Sequence, residues 1–555
     1  MIADKYLRNQ TVTYDEAIGF YKVLDAKYDQ AKLITYGMTD AGKPLQLFVI
    51  SSENDFDPVS LRKKNKRIVL INNAIHPGEP DGVDACIRLS ADILEKHKYE
   101  TLLKNTVLCI VPVYNIDGAL NRGCCSRANQ NGPEEYGFRG NAQNLDLNRD
   151  FIKCETMNAR SFIEIFRAWD PDVFVDTHVS DGADYQYVMT LISSQHNKLT
   201  PVLGEFMKQV MTPFLFDDMK KNGCDMTPYV DAIEETPDDG IRGFLEIPRF
   251  SSGYATLFNT LAFVSESHMF KDYKVRVEAT CQFISSILKF TSSHSEIIAE
   301  KRIEAKRDCA SEKIFPLSWT LDTTRFETIS FKGYEAKHKL SNISGQQRLY
   351  YDRNVPFEKP IKFYDEYKTD KSVEVPVAYI VPQGWHRVME RLQWNKIRMK
   401  KIERDTMIDV EVYYITNYST THEPYEGKYL HFNVELRKEK QQIQYYAGDY
   451  IIELNQAENR YIVETLEPQA TDSYFNWGFF DSILQQKEYF SDYIFEDRAE
   501  EILKNNPGLK TELEKRKSAD QTFANDHRAQ LDVIYKHSPH YEKSHNRYPV
   551  GRMLK

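Results

Sequence analysis

Apolar positions along this chain alternate between two spacings, and each change of spacing marks the edge of an element. Positions 66–75 read KRIVLINNAI, a basic start followed by a β-branched and aliphatic run that fits a buried strand. Positions 84–95 then place apolar residues at helical spacing. The succession recurs, with a helical segment at 155–169 leading into DVFVDTHV at 172–179, and a further apolar run, LAFVSESHM, at 261–269. Strands alternating with helices predict an α/β domain. In open α/β sheets, ligands bind in the crevice beyond the carboxyl ends of the strands. The polar residues that close these runs are therefore the first candidates for chemistry.

His76 and Glu79, in His76-Pro77-Gly78-Glu79, follow the first run at a spacing that suits one metal ion. A single His-x-x-Glu occurs by chance in many chains and is then a solvated loop. A catalytic zinc takes three protein ligands and leaves a position for water. His178, in the second run, supplies the third, although by itself it reads as a satisfied core histidine. Glu266 closes the third run, where a carboxylate within hydrogen-bond reach serves as a general base. Between them lie YGFRGN at 136–141 and LDLNRDF at 145–151. Arg139 and Arg149 in these loops are either surface charges or fixed anion readers, since a guanidinium fork matches a carboxylate bidentately.

Taken in order, HPGE, FRGNAQNLDLNRDF, DTHVSDG and FVSESHM resemble the zinc metallocarboxypeptidases, the superfamily of carboxypeptidases A and B and their regulatory and bacterial relatives, over about half of the chain. The resemblance implies a mixed twisted sheet flanked by helices. It also implies one zinc ion held by His76, Glu79 and His178, with Glu266 as general base. Arg139 would polarise the scissile carbonyl, Asn148 and Arg149 would grip the substrate's terminal carboxylate, and Tyr254 would cap bound substrate. Three features depart from the digestive pattern, one of them a compact interval between Arg149 and His178. Gly78 stands where those enzymes carry arginine, and Tyr254 lies only twelve residues before Glu266.

At 555 residues the chain exceeds one core. We expect the catalytic domain to occupy 1–293, a β-rich part with alternating strands at 372–381 and 407–415 to fill 294–470, and helices packed on the rest to fill 471–555. The net charge, 72 − 82 = −10, argues against nonspecific nucleic-acid binding. No run of 18 apolar residues predicts a membrane span. Eight cysteines, with Cys124 and Cys125 adjacent, permit bridges without requiring them. The opening MIADKYLRNQ lacks the apolar stretch of a signal peptide, which fits a cytoplasmic protein or a mature end. The resemblance to exported bacterial enzymes favours a periplasmic or extracellular setting. The expected function is removal of C-terminal residues from peptides with a free carboxylate. Two alternatives stand beside it: an N-acyl amino acid deacylase on the same fold, and a non-catalytic glycan- or protein-binding protein.

Overall fold

The computed structural model describes residues 2–554. In its N-terminal half run β1 (Ala31–Met38), β2 (Pro44–Ile50), β3 (Arg67–Asn72), β4 (Thr106–Val111), β5 (Val173–Ser180), β6 (Met189–Ser193) and β7 (Met226–Pro228). Two short strands, β8 (Asp231–Ala232) and β9 (Ile241–Arg242), precede β10 (Leu261–His268). Eight of these form one sheet in the order β1-β2-β4-β3-β5-β10-β6-β7. Its centre, β4-β3-β5-β10, is parallel, while β2 joins β4 and β6 joins β10 antiparallel, so the sheet is mixed. β3 and β4 are buried along their whole length. That burial explains their unbroken aliphatic runs, because a parallel strand covered on both faces has no solvent side to alternate towards.

Helices flank the sheet. Asp81–Leu94, which returns the chain from β3 to β4, packs on Tyr273–Ser293, while Met157–Trp169 lies against β1 and β2. The strand expected at 66–75 stops at Asn72, because Ala74 turns to φ 55 and starts a loop. His76 and Glu79 stand on that loop, at the carboxyl end of the parallel centre.

The C-terminal half contributes β11 (Ile314–Leu321), β12 (Glu327–Leu340), β13 (Gln347–Tyr364), β14 (Tyr367–Glu374), β15 (Ala378–Val381), β16 (Lys400–Lys401), β17 (Thr406–Thr420), β18 (His431–Tyr445), β19 (Tyr450–Glu453) and β20 (Gly551–Met553). β12 and β13 extend the β8–β9 pair, and β16-β19-β15-β20-β17-β18 form a six-stranded sheet. Pro507 opens a helix, Pro507–Ala519, where its missing N–H costs nothing. This helix joins Asp492–Asn505 and His527–Lys536 around a small core of their own that includes Phe495, Leu513 and Tyr535. The main core, by contrast, runs from Tyr6 to Val550 across both halves. Phe258 stacks on Tyr461 with ring centroids 5.2 Å apart, so much of the aromatic content after position 450 packs inside. Among the described residues, no helix is long and apolar enough to cross a membrane.

Candidate active site

β5 runs beside β10 with His178 in register with Glu266. Alternation along β5 puts Asp176 and His178 on one face. The loop after β3 brings His76 and Glu79 to the same place. The ring centroids of His76 and His178 are 4.9 Å apart, and one ligand atom from each of His76, Glu79 and His178 lies within 4.8 Å of the others. Glu79 sits between the rings, its Oε1 3.2 Å from His76 Nδ1 and its Oε2 3.1 Å from His178 Nδ1. All three side chains are buried.

Each imidazole is oriented from behind by a carboxylate. His76 Nε2 lies 3.0 Å from Asp146 Oδ1, and His178 Nε2 lies 3.1 Å from Asp176 Oδ2. Such pairs fix ring orientation and raise the basicity of the opposite nitrogen, as they do behind metal-ligating histidines. His76 Nδ1 and His178 Nε2 are buried and, beyond the charged contacts to Glu79 at 3.2 Å and Asp176 at 3.1 Å, make no well-formed hydrogen bond among the described residues. Buried ring nitrogens without a full hydrogen bond are costly in a protein interior. Two borderline nitrogen donors and one carboxylate form a donor set that fits zinc better than magnesium or calcium, which want mainly oxygen.

The electrostatics divide the acids. Burial opposes ionisation of Glu79, but His76, Arg127 and His178 outweigh it and hold the carboxyl well below its ordinary range. Burial likewise opposes a charged His178, yet Asp176 and Glu79 raise it well above the ordinary imidazole value. For Glu266 the compensation falls short of the cost of burial. Burial pushes it up to about 8, with His178 working against the shift and Glu79 and Asp181 adding to it.

The arginines occupy the same cavity, a cleft of about 500 Å³ that also exposes Asn148, Glu266 and Tyr229 and has an apolar side made by Ile192, Phe244, Phe250 and Val264. Asp146 caps the short turn Leu147–Arg149, accepting from Asn148 N at 2.8 Å, and so presents Asn148 and Arg149 together. Arg139 donates to Asp146 Oδ2 through Nε and Nη2 at 3.0 and 2.8 Å. Its Nη1 lies 3.7 Å from Glu79. Arg149 lies over the Phe250 ring at 4.5 Å, with Nη1 on Asn148 O at 2.9 Å and Nε on Tyr425 Oη at 3.0 Å.

The expected substrate cap, Tyr254, is not in the cavity. It lies on the helix Ser251–Thr256, is fully buried, and gives its hydroxyl to Asn395 at 2.6 Å. Packing decides this: the ring is enclosed by Phe151, Phe166 and Phe258, and a short helix whose every residue is buried has no solvent face to offer a cap. Tyr229 is the tyrosine that lines the cleft.

Sequence reasoning passed over four residues. Asp146 and Asp176 stood inside the quoted motifs, and two-residue alternation with His178 was enough to find Asp176. Arg127 donates to Glu79 at 2.8 Å from a loop whose neighbours Cys124 and Cys125 are joined by a disulfide. Gly78 leaves room for it, since a Cβ there would lie 2.6 Å from Arg127 Cδ, a fit that only the structure shows. Tyr425 left no local signal.

Residues 19–203 match the family model for zinc carboxypeptidases, Peptidase_M14; the match takes in His76, Glu79, Arg139, Asn148, Arg149 and His178 and ends before Glu266. Among curated relatives, carboxypeptidase 2 of Trichophyton tonsurans is 21% identical over 467 residues, covering 78% of this chain and 77% of the relative. The enzyme of the same name from Trichophyton rubrum is 19% identical over 466 residues, covering 78% and 77%. Among solved structures, the metallo-carboxypeptidase from Burkholderia cenocepacia is 16% identical and aligns over 51% of this chain and 70% of its own, with a TM-score of 0.38. Bovine thrombin-activatable fibrinolysis inhibitor, in complex with a tick carboxypeptidase inhibitor, is 14% identical over 52% and 98%, also with a TM-score of 0.38. Residues 19–203 thus carry a zinc carboxypeptidase domain, and the resemblance to carboxypeptidases along most of the chain supports a metallopeptidase of the metallocarboxypeptidase superfamily.

Proposed function

We propose that this enzyme removes C-terminal residues from peptides that end in a free carboxylate. One observation supports the reading above others: the Asn148–Arg149 turn opens into the same cleft as the His76, Glu79 and His178 cluster. His76 and His178, through Nδ1, and Glu79 would hold one zinc ion. When bound, zinc supplies Lewis-acid polarisation and brings the pKa of water towards roughly 7. Glu266 takes the proton of the water whose oxygen bonds to the scissile carbonyl carbon. The same proton goes to the departing amine as the carbon–nitrogen bond breaks. Arg139 holds the charge that develops on the carbonyl oxygen. Asn148 and Arg149 bind the terminal carboxylate and so fix which peptide bond meets Glu266. The apolar side of the cleft suits an apolar or aromatic terminal side chain.

Paired peptides that differ only in a C-terminal carboxylate or carboxamide test the assignment. The amide lacks the charge and one acceptor, leaving the charged, partly buried Arg149 without its match, at about 1 to 3 kcal/mol for an unsatisfied group. Free acids should exceed amides in kcat/KM by at least about tenfold, the equivalent of roughly 1.4 kcal/mol. Equal rates would show an endo-acting hydrolase instead.

A further inference from the structure

The C-terminal half reaches the active site through one tight turn. Between β17 and β18, Tyr425 and Lys428 close on each other with Tyr425 N on Lys428 O at 2.7 Å and Lys428 N on Tyr425 O at 3.1 Å. The two central residues both adopt left-handed backbone, Glu426 at φ 50 and Gly427 at φ 75. That is a two-residue hairpin turn of the mirrored type, whose first central position strongly favours Asn, Asp or Gly. A glutamate there is strained, and backbone strain persists where surrounding contacts over-determine it. The contacts are present: Glu426 Oε2 accepts from Asp146 N at 2.8 Å, and Lys428 pairs with Glu155 at 2.7 Å.

Tyr425 is held from the other side. The Arg249 guanidinium lies 5.2 Å from the centroid of its ring and 5.0 Å from that of Trp477, and Arg249 is itself fixed by Asp472 at 2.7 Å. The phenol oxygen so placed accepts from Arg149 Nε at 3.0 Å. With Nε on Tyr425 and Nη1 on Asn148 O, the remaining nitrogen, Nη2, has no protein partner among the described residues. One turn therefore touches two functional groups, the backbone of the carboxylate that orients His76 and the guanidinium assigned to substrate.

We infer that the 425–428 turn of the C-terminal half is part of the substrate-carboxylate site, with Tyr425 the positioning residue that sets Arg149 and Glu426 the tether that holds the Asp146–Arg149 turn. The inference rests on the assignment of Arg149 to the terminal carboxylate. It gives the C-terminal half a role in the reaction, because the Tyr425 hydroxyl holds Nε while Asn148 O holds Nη1 and the Phe250 ring supports the guanidinium face, and the three together set the direction of Arg149.

Wild type, Arg149→Ala, Tyr425→Phe, Glu426→Ala and Glu426→Gln are compared on a blocked dipeptide and its carboxamide, with kcat and KM separated and bound zinc measured. Tyr425→Phe keeps the ring packing and removes only the hydroxyl. The expected result is a KM for the free acid raised about three- to tenfold, with the acid-to-amide ratio lowered by the same factor and zinc content at the wild-type level. Glu426→Ala should lower the ratio, and Glu426→Gln, which keeps an acceptor oxygen, should restore it. A wild-type ratio in both Tyr425→Phe and Glu426→Ala, while Arg149→Ala collapses it, overturns the inference and leaves the Arg149 assignment standing. Absence of any acid preference in the wild type fails that assignment itself.

Discussion

Asp146→Asn is the most informative single change, because it alters charge without altering shape at a residue with two distinct sets of donors. Oδ1 accepts from His76 Nε2 at 3.0 Å and Asn148 N at 2.8 Å, while Oδ2 accepts from Arg139 Nε and Nη2 at 3.0 and 2.8 Å. Burial opposes its ionisation, but His76, Arg139 and Arg149 hold the carboxyl well below the ordinary range. An asparagine has one acceptor oxygen and must set its NH₂ against one of these pairs of donors. The His76 side is buried and the Arg139 side chain is 44% exposed, so the oxygen stays with His76 and Arg139 is released to solvent. Two effects follow. His76 keeps a neutral acceptor in place of a carboxylate, which lowers zinc affinity about 10- to 100-fold, or roughly 1.4 to 2.7 kcal/mol. Arg139 loses two charge-assisted bonds, each nominally about 1.5 to 3 kcal/mol but reduced by its exposure, so kcat/KM at saturating zinc falls about tenfold. Competition against a chromophoric chelator reads the first effect, and steady-state kinetics with excess zinc the second. Wild-type values in both assays would refute the roles given to Asp146.

Glu266→Gln should lower turnover by at least about 10²-fold with zinc content unchanged; undiminished hydrolysis would move the base to another carboxylate. Zinc binding at pH 7 should release at least one proton per ion, because His178 is raised well above its ordinary value, Glu266 is pushed up to about 8, and a dication favours the deprotonated form of both. Affinity should accordingly rise with pH between 6 and 8; titration calorimetry in two buffers of different ionisation enthalpy measures the release, and a value of zero contradicts it. Gly78→Ala places a Cβ 2.6 Å from Arg127 Cδ, the movable part of a long side chain, so it should displace Arg127 from Glu79 and leave the fold intact. In an Arg127→Ala background the same change should then have little further effect on kcat/KM, and strict additivity of the two would disprove the coupling.

Local chemistry was legible because it is written in short segments. The aliphatic run ending at Asn72, the His76-Pro77-Gly78-Glu79 loop, and the alternation that aims His178 from β5 each depend on residues within a few positions of one another. Strand register then brought Glu266 beside His178. Tyr254 failed for the opposite reason. Its motif position was suggestive, but the aromatic side chains that enclose it come from segments 88 to 103 residues earlier and from Phe258, and no local pattern announces that enclosure.

The sequence by itself pointed to an α/β domain, to the candidate donors His76, Glu79 and His178 and to the loop after the first buried strand, since side-chain periodicity and residue spacing act at short range. Only the tertiary structure decided which groups orient that set. Asp146 reaches His76 across 70 residues, and Tyr425 reaches Arg149 across 276, from a half of the chain whose pattern revealed strands but no chemistry. Such pairings follow from how two surfaces close on each other, and a contact whose partners are far apart in sequence leaves no period or spacing in either segment.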